Sequence, residues 1–216
     1  MGLSRKRMLL VQIFLSISIA AILYFIGGFN NIYISGLGNF IIGNWYIPLA
    51  AFIIISFANA YNITDGLDGL AAGLLLICLF AFLVLANSVL NQNLAIFIGV
   101  WIGALIAYLY FNIFPARIYL GDAGAFGFGA TLAVIGLLTG KILGLAVIGG
   151  VYIVIIASSL LQIVSKKLFS RKIFPVAPIH MCFKYIGWPE PKIVMRFWLA
   201  GAIFAIFGLW LALISK

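Results

Sequence analysis

The chain has 216 residues, 66% of them hydrophobic and only 8% charged, with a formal net charge of +9 and a mean hydropathy of +1.27. That composition excludes an ordinary soluble domain, in which about a quarter of the residues are charged. Runs of about 18 or more apolar residues, each able to cross a hydrocarbon core roughly 30 Å thick, predict an all-α polytopic membrane protein.

Seven candidate spans follow in order, at 9–27, 46–60, 71–90, 95–114, 124–138, 142–163 and 197–214. The first follows Arg5, Lys6 and Arg7 as a signal peptide would. Its apolar run exceeds the usual length of about 7–15 residues, and no small-residue cleavage site follows, so it reads as an anchor. Residues 30–44 form an uncharged loop with Gly, Asn and Ser turn residues. Its "GLGNFI" at Gly36 lacks the last glycine of a dinucleotide-binding turn. The second and fifth spans are short and interrupted by Gly or Asn, so their ends shift by several residues. Cys78 within a span and Cys182 in a loop offer no disulfide framework.

Charge sets the expected orientation. With the N-terminus cytoplasmic and the C-terminus outside, eleven of the thirteen Lys/Arg fall inside, leaving Lys141 and Lys216 outside. The positive charge is then topology and attraction for anionic lipid, and needs no nucleic acid. The chain reads as a single transmembrane domain, 1–216, with cytoplasmic loops near 59–71, 111–124 and 164–196. Those loops contain "NAYNITDGLDGLAAG", "FNIFPARIYLGDAGAFGFG" and "SKKLFSRKIFPVAPIHMCFKYIGWPEPKIVMRFW". All four acids (Asp65, Asp68, Asp122, Glu190) and the sole histidine, His180, lie in them. Ionisable groups gathered beside a membrane point to a site.

Each island has a plainer account as well. The Asp-Gly pairs of "TDGLDG" suit a helix-connecting turn. Glycines 124, 127 and 129 suit close helix packing. His180 alone suits a bond to a backbone carbonyl, and the basic run 166–172 suits lipid contact. Taken together, carboxylates without a thiolate or histidine cluster favour a hard cation such as Mg²⁺, held by one or two carboxylates and substrate phosphates. Gly-rich turns at helix starts offer N–H groups to phosphate, and Arg117, His180 and nearby lysines can neutralise its charge. No Walker A, kinase or Rossmann pattern is present. The residues by themselves indicate a Mg²⁺-dependent enzyme acting on a phosphorylated lipid or nucleotide.

The three loop segments resemble signature cytoplasmic segments of the polyprenyl-phosphate N-acetylhexosamine-1-phosphate transferases, in the same order and over nearly the whole chain. The Pro-Ile-His and Gly-Trp-Pro-Glu-Pro…Arg-Phe-Trp pieces favour the branch that uses UDP-N-acetylmuramoyl-pentapeptide over those that use UDP-N-acetylglucosamine. The resemblance implies transfer of the phospho-sugar to undecaprenyl phosphate, giving lipid I and UMP at the cytoplasmic side of a bacterial inner membrane during peptidoglycan synthesis. It assigns Asp122 to Mg²⁺. Asn59, Asn62, Asp65 and Asp68 go with Arg117 to the nucleotide-sugar side, Tyr119 to stacking on uracil, and His180 to the first position of a histidine motif.

Two departures stand out. Met181 and Cys182 follow His180 where the family usually has two further histidines. The family's Asp-Asp pair, which precedes a segment like "GLSRKRMLLVQIF", has no counterpart ahead of it here. The resulting expectation is a chain with little activity by itself, needing an N-terminal fragment or a homodimer partner. A transferase for another UDP-amino sugar, a non-catalytic relative and a transporter remain the alternatives, the last wanting ionisable groups inside spans.

Overall fold

The structure, a computed structural model, describes residues 4–34, 38–88 and 91–214; the expectations touching Gly36, Leu90 and Lys216 lie outside the described residues. The elements in order are α1 (Arg5–Phe25), β1 (Asn31–Ile34), β2 (Gly38–Ile41), α2 (Tyr46–Thr64), α3 (Leu70–Ser88) and α4 (Gln92–Asn112). After these come α5 (Gly121–Leu138), α6 (Ile142–Ile148), α7 (Gly150–Phe169), α8 (Ile179–Tyr185) and α9 (Glu190–Ile214). Among the described residues, seven helices are long and apolar enough to cross a membrane: α1 to α5, α7 and α9. The molecule is an α-helical multi-pass membrane protein.

Three details differ from the sequence reading. The expected span 142–163 is split at Gly149, whose φ of −82° and ψ of 13° interrupt the helix. A Cβ at Gly149 would overlap the Phe57 ring of α2, and one at Gly150 would lie 2.5 Å from Cδ1 of Phe204 on α9. Aromatic rings from two neighbours thus fill the break that the paired glycines leave. The expected turn-rich loop 30–44 instead holds an antiparallel hairpin, with Asn31 opposite Ile41 and Ile34 opposite Gly38. Finally, α9 starts at Glu190, well before residue 197, because helical turns that carry Glu190, Lys192 and Arg196 are too polar for a hydropathy window to include.

Helix ends follow local chemistry. Asp122 and Glu190 occupy the first turns of α5 and α9, where the positive end of the helix dipole favours a carboxylate. Lys166 and Lys167 occupy the last turn of α7, which stops at Ser170 in the left-handed region (φ 52°).

α2 is flanked by α1, α5 and α7, α3 lies between α4 and α9, and α6 packs on α9. One contiguous apolar core runs through them, from Ala20 to Ala212. Lipid tails give apolar faces no reason to associate, so close backbone approach does the work. At the α2–α5 crossing a Cβ on Gly129 would overlap the Phe57 carbonyl oxygen and lie 2.7 Å from Cα of Ala58. Of the three glycines expected to permit packing, only Gly129 meets a neighbouring helix. Gly124 faces the side chain of Leu120, and Gly127 has nothing within 4 Å. Gly129→Ala is therefore expected to destabilise the protein by about 1–3 kcal/mol, since backbone cannot yield as a side chain can. Gly127→Ala is expected to be neutral or to stabilise by up to about 1 kcal/mol through helix propensity. Thermal unfolding of the two variants in the same detergent checks both.

Candidate functional site

The α2–α3 connection, residues 65–69, is the centre of the polar end of the bundle. Five residues between two helices cannot satisfy all their own backbone donors, so this turn borrows acceptors from two other segments. The Asp68 N–H donates to Oε1 of Glu190 (2.9 Å), at the start of α9. The Gly69 N–H donates to Oδ1 of Asn112 (3.1 Å), the last residue of α4, whose Nδ2 in turn donates to the Ile118 carbonyl (3.0 Å). The Ala116 N–H donates to Oδ2 of Asp68 (2.8 Å). Asp68 and Asn112 therefore clamp the segment 112–121 against the turn.

That clamp brings most of the expected residues together. Asp122, exposed in the first turn of α5, has its Oδ1 3.5 Å from Nδ2 of Asn62 in the last turns of α2, at the outer limit of a hydrogen bond. Arg117 lays its guanidinium over the rings of Phe111 (4.9 Å) and Tyr110 (5.7 Å). Tyr119 is 70% exposed, so its ring faces are open to a stacking partner. The Asp65 carboxyl is pushed up to about 6, first by burial and then by the neighbouring Asp68 carboxylate.

Two expected residues sit differently. Asn59 commits its amide nitrogen to Oε1 of Gln12 (3.0 Å) and to the Ile55 carbonyl (2.9 Å), joining α1 to α2. His180, the second residue of α8, is wholly buried, and neither ring nitrogen has a partner. A Cβ on Gly66 would lie 3.2 Å from its Nε2, and Phe197 meets its ring edge to face at 6.4 Å. The imidazole is thus a floor beneath the turn. Burial holds it down to about 4, so the fold favours its uncharged form at neutral pH.

Among the described residues no group of three or more His, Cys, Asp or Glu side chains gathers around one point. Asp122 nevertheless offers a carboxylate at an exposed helix start, which Asn62 faces with its amide nitrogen. Hard oxygen donors that leave most positions to water and phosphate suit Mg²⁺. Asp122 fits the ion in that way.

Asn112 joins the cluster without having been singled out, Glu190 was named only as one of the four acids, and Gln12 was not named as the partner of Asn59. Their signal was available: each is a lone polar or acidic side chain in or beside an apolar span.

Fold and cluster together define a polytopic membrane protein with a polar, hydrogen-bonded cluster at one end of its bundle. Residues 1–140 match the profile described as glycosyl transferase family 4, and the chain belongs to that family. Curated relatives bear the name phospho-N-acetylmuramoyl-pentapeptide-transferase. That of Bacillus subtilis is 34% identical over 212 residues, covering 98% of this chain and 65% of the relative. That of Rubrobacter xylanophilus is 36% identical over 215 residues, covering 96% and 65%. That of Borreliella burgdorferi is 35% identical over 227 residues, again covering 96% and 65%. The chain thus spans about 65% of the length of these relatives.

The buried histidine carries a pH signature. Its folded value of about 4 lies below the ordinary 6.5, so its contribution to stability is full above about 6.5 and is lost as pH falls toward 4. Asp65 acts in the opposite sense: its folded value of about 6 lies above 3.8, so its contribution is full below 3.8 and is lost as pH rises through 6. The two offset each other between about pH 4 and 6. His180→Gln is expected to remove the acid-side loss, on the order of 3 kcal/mol, so that its Tm relative to the wild type climbs as pH drops from 6.5 to 4. Melting curves across that range in detergent measure it; parallel curves for the two proteins would contradict the burial argument.

Proposed function

We propose that this chain carries the sugar-nucleotide and metal side of a phosphoglycosyl transferase. The reaction moves phospho-N-acetylmuramoyl-pentapeptide from its UDP conjugate to undecaprenyl phosphate, giving lipid I and UMP at the cytoplasmic face of a bacterial inner membrane. The observation that carries this reading is the clamp by which Asp68 and Asn112 hold the Arg117–Tyr119 stretch beside Asp122 and Asn62. The names of the relatives supply the substrate class.

In the reaction an oxygen of the carrier phosphate forms a bond to the sugar-linked phosphorus of the pyrophosphate, and the bond from that phosphorus to the UMP oxygen breaks. Positioning and charge stabilisation are the protein's share of such chemistry. Tyr119 offers a ring face to uracil, and the turn with Asp65 and Asp68 lies beside the nucleotide. Arg117, its guanidinium steadied on Phe111 and Tyr110, reaches for phosphate oxygens. Asp122 would hold Mg²⁺, which supplies neutralisation of the pyrophosphate charge when bound. His180 holds the turn from below.

Asp122→Asn keeps the shape of the site and removes the charge. Turnover is expected to fall on the order of 10²-fold, with a higher Mg²⁺ requirement. Asp68→Ala releases Ala116 and is expected to raise KM for the nucleotide sugar while leaving the Mg²⁺ requirement unchanged. UMP release in membranes containing the protein, with undecaprenyl phosphate added, reads both. Release from UDP-N-acetylglucosamine instead, or from neither nucleotide sugar even when an N-terminal fragment of a relative is supplied, would overturn the assignment.

The sidedness is tested separately. In a Cys182→Ser background, Ala123→Cys is expected to react with an impermeant thiol reagent from the cytoplasmic side only, and Asn93→Cys from the opposite side only. Both positions are exposed, while the remaining Cys78 is buried. Labelling of Ala123→Cys from outside would reverse the orientation.

A further inference from the structure

The last spanning helix before α8 has a polar face that the site itself does not use. Ser158, Gln162 and Ser165 are 4%, 5% and 8% exposed, and their spacing of four and then three residues puts them on one side of α7. Polar side chains buried in a membrane helix are costly unless they find partners, and here nearly every partner comes from one stretch of chain. Oε1 of Gln162 accepts from the N–H groups of both Ile173 and Phe174 (3.0 Å each), and its Nε2 donates to the Phe174 carbonyl (2.9 Å). Ser165 Oγ donates to the Arg171 carbonyl (2.9 Å). Ser158 Oγ accepts from the Ile179 N–H (3.0 Å) while donating to Ile155 in its own helix (2.6 Å).

The stretch 171–178 that follows α7 is neither helix nor strand, so its backbone has no regular ladder. The polar face stands in for one. After the left-handed turn at Ser170 the chain runs back along α7, meeting Ser165 first, then Gln162, then Ser158. Seven helical residues correspond to a descent of about 10 Å. The residue after the last anchor point, Ile179, is His180, which lies beneath Gly66.

We infer that Gln162, with Ser158, is a positioning residue: by strapping residues 173–179 to α7 it sets the depth at which His180 supports the Asp65–Gly69 turn. The link to that turn's nucleotide-binding role rests on the transferase reading; the strap itself does not.

His180 is the sole histidine of the chain, which makes its protection directly readable. Tag-free purified protein is treated with diethyl pyrocarbonate, and carbethoxylation is followed by mass. Wild type is expected to react slowly. Gln162→Leu leaves two amide donors and a carbonyl without partners and is expected to react at least roughly tenfold faster at unchanged helical content. Ser158→Ala is expected to react faster, whereas Ser158→Thr, which keeps the oxygen, stays near wild type. Wild-type protection in folded Gln162→Leu overturns the inference. Should that variant fail to fold, wild-type protection in Ser158→Ala overturns it instead.

A second readout separates positioning from simple loss of folded protein. Less folded enzyme lowers Vmax at constant KM, whereas a displaced turn raises KM for the nucleotide sugar. Gln162→Leu is expected to raise KM several-fold, and an unchanged KM beside an exposed His180 overturns the link from strap to turn. Absence of activity in the wild type with an N-terminal fragment supplied would refute the transferase reading and leave the modification rates to decide the strap.

Discussion

Everything at the polar end of this bundle depends on how one short turn satisfies its backbone. Residues 65–69 connect two membrane-spanning helices, and the N–H groups of Asp68 and Gly69 find no partner within the turn itself. Leaving such groups unpaired near the hydrocarbon would cost on the order of several kcal/mol, so the acceptors must come from elsewhere. Glu190 and Asn112 supply them, and in doing so draw the start of α9 and the end of α4 to the same place. Asp68 then reaches out in return and fixes the backbone at Ala116. One turn's hydrogen-bond deficit thus assembles three separate loops.

The same logic recurs wherever this apolar molecule keeps a polar side chain. Gln12 meets Asn59 between α1 and α2, Tyr152 donates to the Ala71 carbonyl between α7 and α3, and the Ser158–Gln162–Ser165 face replaces a missing ladder. In a medium without competing water, each such pair is a specific link between elements whose apolar surfaces match lipid as well as they match each other. Close glycine contacts supply the packing, and sparse polar pairs supply the register.

Electrostatics divides the cluster into working and supporting parts. Asp122 is exposed at a helix start, where the dipole favours it and hydration is retained. Asp65 is partly buried beside Asp68 and titrates near 6. Glu190 is paired with Lys184 at 2.8 Å and bonded to the turn, which makes it a fastening. His180 is buried and neutral, so its contribution is volume and position.

The number of spans, the class of protein and the gathering of acids into three loops were legible in the sequence. They rest on quantities local in the chain: hydropathy over about 20 residues, and charge counted between spans. Asp122 and Arg117 stood out in the same way, as charged residues in those loops, whereas Asn62 and Tyr119 were named through the resemblance. What the sequence left open is what depends on who stands opposite. Nothing in "GDAGAFGFG" distinguishes Gly129, pressed on the α2 backbone, from Gly127, which faces open space. Nothing around the Gly149–Gly150 pair announces that rings from α2 and α9 would occupy a break there. Asp68 and Asp65 look alike in "TDGLDG", and only the approach of Ala116 makes the first a clamp and leaves the second a perturbed acid. His180 reads as a solvent-facing base in its loop, and only tertiary packing buries it and favours its neutral form. Hydropathy is a property of one segment against its solvent, whereas burial, pairing and ionisation are properties of segments against each other, and only the folded bundle decides those.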